Sequence, residues 1–457
     1  MSDYGEFCET KRTAHIPVGL ATVPELHPSL FPFQRDIVEW ALGLGRAAIF
    51  ADCGMGKTRM QIEWAYHVPG RVLVLAPLAV GAQTVAEARA MGYGEDTVEQ
   101  CRDGKSSAQI VVTNYERLHY FTPSDFAGVV LDESSILKSY MGKIKRRITD
   151  AFSRHRWRLC CTATPAPNDY LELGNHSEFL GVLDSHEMIA RWFLPDTTTF
   201  GVYRLKKHGI ESYWSWVSSW AACVGAPSDL GYDDGDFVLP ELNVQRHVVD
   251  VDIVDGAGDM LFRTTSLNAT KVHKEKRRTA PLRAARVAEI VLSEADEQWL
   301  IWCDTNYEAD ALRAVLPRAV EIRGSDSDER KSSNLLGFAS GKVQTLVTKA
   351  KIAGFGMNWQ SCARMAFVGP TFSYEQFYQG VRRCWRFGQP RPVDCHVVMA
   401  ATEVEVFGVM MRKAKAHEEM KAAMFASARK AIRKNAPPVD YHPAHSAPIP
   451  AWLRSVS

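Results

Sequence analysis

Apolar residues come in short runs at near-regular spacing. Residues 47–50 are apolar throughout and predict a buried strand, and residues 59–67 predict a helix. Residues 71–77 enclose Val-Leu-Val-Leu-Ala, a continuous run of the kind that buried parallel strands carry. A helix is expected over 80–90, then strands at 109–113, 128–131 and 159–161. A second series starts near residue 281. It predicts a helix at 283–292, a strand at 299–303, a helix at 306–316, a strand at 320–322, a helix at 328–340 and a strand at 344–348. Strands alternating with helices predict an α/β fold of parallel strands joined by crossover helices, here in two lobes.

Three segments break the alternation. Residues 178–240 are aromatic-rich, and Tyr213/Trp214, Val217 and Trp220 fall at helical spacing. That spacing predicts packing in a helical insertion, with base stacking as the alternative. Residues 244–254 read as a strand crossing between the lobes. Residues 407–434 read as a basic helix with Met410, Met411, Met420 and Met424, followed by a Pro-rich tail.

Composition narrows the class. At roughly 150 residues per domain, 457 residues suggest two to three domains. With 46% hydrophobic and 23% charged residues, an ordinary core can form. The net charge of +1 gives no global attraction for nucleic acid, so binding would rest on local basic stretches such as 143–158 and 271–286. The ten cysteines show no C-x-x-C pair or zinc spacing, which predicts reduced thiols, with Cys160 and Cys161 buried. Residues 1–12 lack an apolar signal segment, and no run approaches the roughly 20 apolar residues of a membrane helix. A cytoplasmic protein without membrane contact is expected.

The chemistry concentrates after the first strand. Ala51-Asp52-Cys53-Gly54-Met55-Gly56-Lys57-Thr58 lies between strand and helix. Gly54 and Gly56 let backbone N–H groups approach phosphate oxygens, and the helix start favours negative charge. Lys57 can reach the outer phosphates of a triphosphate and Thr58 can hold Mg²⁺. Asp132 and Glu133 end the strand at 128–131. In a domain with a phosphate loop, Asp132 is the expected Mg²⁺ ligand and Glu133 the residue that activates water. Gln34, about twenty residues before the loop, can both donate to and accept from an adenine edge.

The set Phe33-Gln34, residues 52–58, Asp132-Glu133-Ser134-Ser135-Ile136-Leu137-Lys138 and Thr162-Ala163-Thr164-Pro165-Ala166-Pro167-Asn168 resembles the first motor lobe of superfamily-two helicases. The Swi/Snf-like DNA translocases are nearest, and the aromatic-rich segment 178–240, with Lys206-Lys207-His208 and the turn Pro227-Ser228-Asp229-Leu230-Gly231 beside it, is similar to small bacteriophage-encoded helicases. Ser135 stands where that family has His, Ser139 where it has Asn and Ala163 where it has Gly. Lys351-Ile352-Ala353-Gly354-Phe355-Gly356-Met357-Asn358-Trp359 resembles the family's Gly-rich segment. Gln379-Gly380-Val381-Arg382-Arg383-Cys384-Trp385-Arg386-Phe387-Gly388-Gln389 resembles its arginine motif.

The resemblance implies two RecA-like lobes in tandem with ATP and Mg²⁺ between them. It makes Arg383 and Arg386 fingers reaching the γ-phosphate, with Gly356 and Gln379 beside the nucleotide. Arg382 stands where the family often has Asp, and its role is open. The organisation it implies is an arm (1–28), a first lobe (29–177), a helical insertion (178–240), a linker (241–280), a second lobe (281–400) and a C-terminal helix and tail (401–457). The expected activity is ATP-dependent translocation on DNA, duplex favoured, by a monomeric motor, with a nuclease, methyltransferase or replication partner as a further expectation. An RNA helicase and a protein-directed nucleotide switch are the alternatives.

Overall fold

A computed structural model describes residues 17–77, 80–138, 142–196, 203–251, 269–353, 359–371 and 373–432. Strand β1 (Arg46–Ala51) is flanked by the helices Pro32–Leu44 and Lys57–His67. The strands β2 (Val72–Ala76), β3 (Val98–Gln100), β4 (Ile110–Asn114), β5 (Gly128–Asp132) and β6 (Trp157–Cys161) follow. The antiparallel pair β7 (Phe193–Pro195) and β8 (Tyr203–Leu205) precedes β9 (Ala221–Val224). The first sheet has the order β3-β4-β2-β5-β6-β1-β9, with every pairing parallel.

The second sheet uses β10 (Leu242–Val249), β11 (Trp299–Trp302), β12 (Val320–Glu321), β13 (Thr345–Thr348), β14 (Arg364–Phe367) and β15 (Val393–Ala400). Its order is β10-β15-β14-β11-β13-β12, again all parallel. The fold is α/β with two parallel sheets and a helical C-terminal region, as the alternation predicts.

The period of two along each strand divides the core. In the first sheet Ala48, Phe50, Leu73, Leu75, Val129 and Leu131 face one layer of helices. Ala47, Ile49, Val72, Val74 and Val130 face the other. Both faces are covered, so the strands read as unbroken apolar runs. The second sheet repeats this, with Leu300 and Trp302 on one face and Trp299 and Ile301 on the other.

Three expectations change. Residues 178–240 are more than a helical insertion, because β9 lies parallel to β1 and forms the edge of the first sheet. Ala221-Ala222-Cys223-Val224 is short and sits directly behind an aromatic helix, so it carries no visible period. Within the expected linker 241–280, β10 is a second-sheet strand paired with β15 along its whole length. The strand read over 244–254 is thus present at Leu242–Val249, as a member of the second sheet. The expected helix at 283–292 is longer, Ala269–Ser293.

The aromatic stripe is core. Tyr213, Trp216 and Trp220 are buried in the first-lobe cluster together with Trp192. Trp216 stacks on Trp192 at 4.8 Å, and Trp220 meets Phe50 edge-on at 6.1 Å. No face of these rings is open to a base. Part of the basic stretch at 143–158 is internal too. Lys145 donates to Asn175 and Glu178, and Arg158 donates to the Phe179 carbonyl. Burial lowers the Arg158 pKa to about 10.

Trp220→Ala should therefore destabilise the protein by about 3–5 kcal/mol, the range for removing a large buried aromatic side chain. Denaturant unfolding checks this. A stability unchanged from wild type, with weakened nucleic-acid binding instead, would restore the stacking alternative.

Candidate nucleotide site between the lobes

The phosphate-loop candidate leaves the carboxyl end of β1, where ligands of open parallel sheets bind. Gly56 caps the helix Lys57–His67 with φ +78°, and Gly54 has φ +91°. Both values favour glycine, and neighbours reinforce the need. A Cβ on Gly56 would stand 2.3 Å from Gln34 Nε2, and one on Gly54 would stand 3.1 Å from Phe387 of the second lobe. Lys57 Nζ curls back to donate to the carbonyls of Ala51 (2.8 Å) and Asp52 (3.2 Å). Thr58 follows in the first helical turn, and Met55 is buried in the core.

Gln34 is buried beside the loop. Its Nε2 donates to the Met55 carbonyl at 2.9 Å, and its Oε1 accepts from Phe31 N–H at 3.0 Å. The amide expected to meet adenine is thus engaged with the loop backbone and its own helix start.

Asp132 and Glu133 end β5. Gln61 Nε2 donates to Asp132 Oδ1 at 2.7 Å, and Tyr115 Oη donates to the Asp132 carbonyl at 2.7 Å. Glu133 has φ +53°, the positive value among non-glycine described residues. Such a backbone costs on the order of 1–3 kcal/mol and persists only where its surroundings impose it. It turns the Glu133 carboxylate toward Thr162, whose hydroxyl donates to Oε2 at 3.3 Å. Burial pushes both acidic pKa values up, and the Lys57 charge pulls against it in each.

The second lobe reaches into the same cleft. Arg382, Arg383 and Arg386 follow the helix Tyr374–Val381 and are all buried or nearly so. Arg383 lies near enough to Glu133 and Cys53 for their charges to act on it, although burial dominates and lowers its pKa. Arg386 is lowered to about 10, first by burial and then by Arg383. Gln379 is buried, with its carbonyl accepting from Arg383 Nε at 3.2 Å. Gly356 lies outside the described residues.

The geometry also brings in residues the motifs did not assign. Arg382 Nη2 donates to the Cys53 carbonyl at 2.9 Å and lies 3.1 Å from Asp52 Oδ2. Lys421 Nζ, from the helix Val404–Ile432, donates to the same Oδ2 at 2.9 Å. Lys138 of the acidic motif pairs with Glu375 across the lobes. A histidine does approach the acidic motif, but from another helix: His176 Nε2 meets Ser134 Oγ at 3.1 Å. The basic helix at 407–434 gave no signal that singled out Lys421, and Arg382 was visible only as a departure from the arginine motif.

The family model described as the helicase conserved C-terminal domain matches residues 283–388. This region of the chain is similar to the C-terminal domain of helicases. The matched region carries most of the second sheet and all three arginines. A domain of this kind implies ATP-hydrolysing, helicase-type activity. The chain is also similar to the protein named Putative protein p41 of Acyrthosiphon pisum secondary endosymbiont phage 1, 22% identical over 459 residues, covering 84% of this chain and 95% of that protein. No helix among the described residues is long and apolar enough to cross a membrane.

The Asp52 contact sets a pH window. Burial raises the Asp52 pKa, but Arg382 and then Lys421 outweigh it and hold the carboxyl below its ordinary value. For Lys421 burial lowers the pKa, and Asp52 and Glu418 more than offset it. The stabilisation is therefore complete above the ordinary aspartate value of roughly 3.9, and is lost as pH falls through the lower folded value. It is likewise complete below about 10.4 and is lost as pH rises through the raised lysine value. Asp52→Asn leaves two buried cations without their partner and should cost about 3–5 kcal/mol at pH 7. Melting midpoints across pH should show a shallower acid limb in this variant than in wild type.

Proposed function

We propose that the chain is an ATP-driven motor that moves along duplex DNA. The observation that supports this most is one cleft holding Lys57, Asp132 and Glu133 from the first lobe and Arg383 from the second. Hydrolysis then requires the lobes to be together. In this reading Lys57 and the loop N–H groups bind the outer phosphates of ATP, with residues 52–56 shaping the loop. Gln34 sits at the adenine end, and Gln379 and the Gly356 segment border the nucleotide from the second lobe.

Thr58 and Asp132 offer one hydroxyl and one carboxylate. No cluster of three or more potential His, Cys, Asp or Glu ligands occurs among the described residues. That donor set fits Mg²⁺, which keeps waters and takes few protein ligands beside substrate phosphates. Bound there, the ion would neutralise charge on the phosphates. Glu133 orients the attacking water and accepts its proton. Arg383 and Arg386 stabilise the charge that develops on the transferred phosphoryl group.

Alternating closure and opening of the lobes would step the protein along the backbone, with little sequence preference because phosphate contacts carry little sequence information. The Swi/Snf-like motif pattern favours duplex DNA over RNA. The phage-encoded relative favours a place in a phage replication, recombination or restriction-type assembly, in the cytoplasm of a host cell, with any nuclease or methyltransferase supplied by a partner. The motor itself would act as a monomer.

Lys57→Ala and Glu133→Gln should each abolish turnover. Arg383→Ala should still bind ATP and lose about 10³–10⁵ in rate. Normal hydrolysis by Arg383→Ala would overturn the assignment of the cleft. Steady-state hydrolysis without polymer and with duplex DNA, single-stranded DNA or RNA, at fixed salt, tests the substrate. Strong stimulation by duplex DNA is expected, weakening steeply as salt rises. Preference for RNA or single strands would point to a strand-separating helicase. Basal turnover that no nucleic acid raises would point to a protein-directed switch.

A further inference from the structure

The helix Val404–Ile432 starts on the second lobe and ends on the first. Phe407 and Met410 lie in the second-lobe core, while Met420 and Met424 lie in the first-lobe core with Trp216 and Trp220. Those apolar contacts dock the helix without any need for a charge. Yet Lys421 is buried between them, with its side chain 9% exposed and its Nζ on Asp52. A buried ion pair is often no more stabilising than an apolar replacement. Docking alone therefore does not account for an ammonium group at this position.

What the ammonium does is fix Asp52. The other carboxylate oxygen of Asp52 accepts from Cys53 N–H at 3.1 Å, and its carbonyl accepts from Lys57 Nζ. Lys421, Asp52 and Lys57 thus form a connected chain, and Arg382 joins it at Asp52 and at the Cys53 carbonyl. Further polar groups gather here. His417, one turn before Lys421, is buried against Tyr374 and Tyr378. Among the described residues, neither ring nitrogen of His417 has a hydrogen-bond partner, nor does Tyr378 Oη or Arg382 Nε. Buried polar atoms are seldom left unpaired, so this corner of the cleft is a polar site rather than sealed packing.

We propose that Lys421 is a positioning residue of the nucleotide site, acting through Asp52 to hold the phosphate loop and Lys57 in place. The C-terminal helix is then part of the ATPase unit. This rests on the reading of the cleft as an ATP site. Lys421 acts through Asp52 rather than on the phosphates, so its loss should weaken ATP binding more than it slows the chemical step.

The test uses the full-length chain and ATP, measuring KM, kcat and the melting midpoint of each variant. Lys421→Met should raise KM roughly 10-fold or more, by analogy with the loss of groups that orient metal ligands, with a smaller change in kcat. Lys421→Arg should restore KM. Asp52→Asn combined with Lys421→Met should be no worse in KM than Asp52→Asn alone. An unchanged KM in Lys421→Met, no rescue by Arg, or full additivity in the double variant would overturn the proposal. Should Lys421→Met fail to fold, Lys421→Gln takes its place, and a wild-type KM in it is equally fatal. Wild-type turnover that survives Lys57→Ala would sink the ATP-site reading itself. Turnover that Lys57→Ala abolishes and Lys421→Met leaves alone would sink only this inference.

Discussion

The carboxylate of Asp52 is the point on which the two lobes and the C-terminal helix converge. It is nearly inaccessible, and a buried carboxylate is costly unless paired and hydrogen-bonded. Here Arg382 comes from the second lobe, Lys421 from the last helix and Cys53 N–H from its own loop. Loss of the carboxylate itself would leave both cations without their shared partner. The position of the lobes, the path of the last helix and the shape of the loop are thus solved together at one oxygen pair.

Around that point the site follows the logic of a parallel sheet. The loop after β1, the carboxylates at the end of β5 and Thr162 after β6 all lie at carboxyl ends of neighbouring strands. Ala163 packs with the second-lobe core, and Cys53 lies against the same cluster. Lys138 and Glu375 add a charged contact between the acidic motif and the helix that leads to the arginines. Residues of the region that matches the helicase C-terminal domain are thereby set by contacts with the first lobe rather than by their own sheet alone.

Much of this was legible in the order of residues. Continuous apolar runs give buried parallel strands because both sheet faces are covered, and Gly54, Gly56 and Lys57 give the loop because only glycine tolerates its positive φ values. What stayed hidden depended on distant partners. Strand β9 is four small or apolar residues whose only cue is β1, already in place beside it. Arg382 departs from the arginine motif, and its partner Asp52 is more than three hundred residues away. The strain at Glu133 follows from the turn that the packed motif imposes, which no residue type announces.

The placement of β10 has a consequence for how the chain is made. It is the edge of the second sheet, and its neighbour β15 is the last strand of that sheet to be synthesised. His247 and His396, which meet across the pair at 2.9 Å, are 149 residues apart. At ribosomal rates of roughly 5–20 residues per second, β10 waits on the order of 10 s for its partner. Throughout that interval a strand with Val244 and Val248 on its surface has an unsatisfied backbone edge. The β10 end of the second sheet therefore closes last, and until then β10 has both backbone edges open to mispairing rather than the single edge it keeps in the finished sheet.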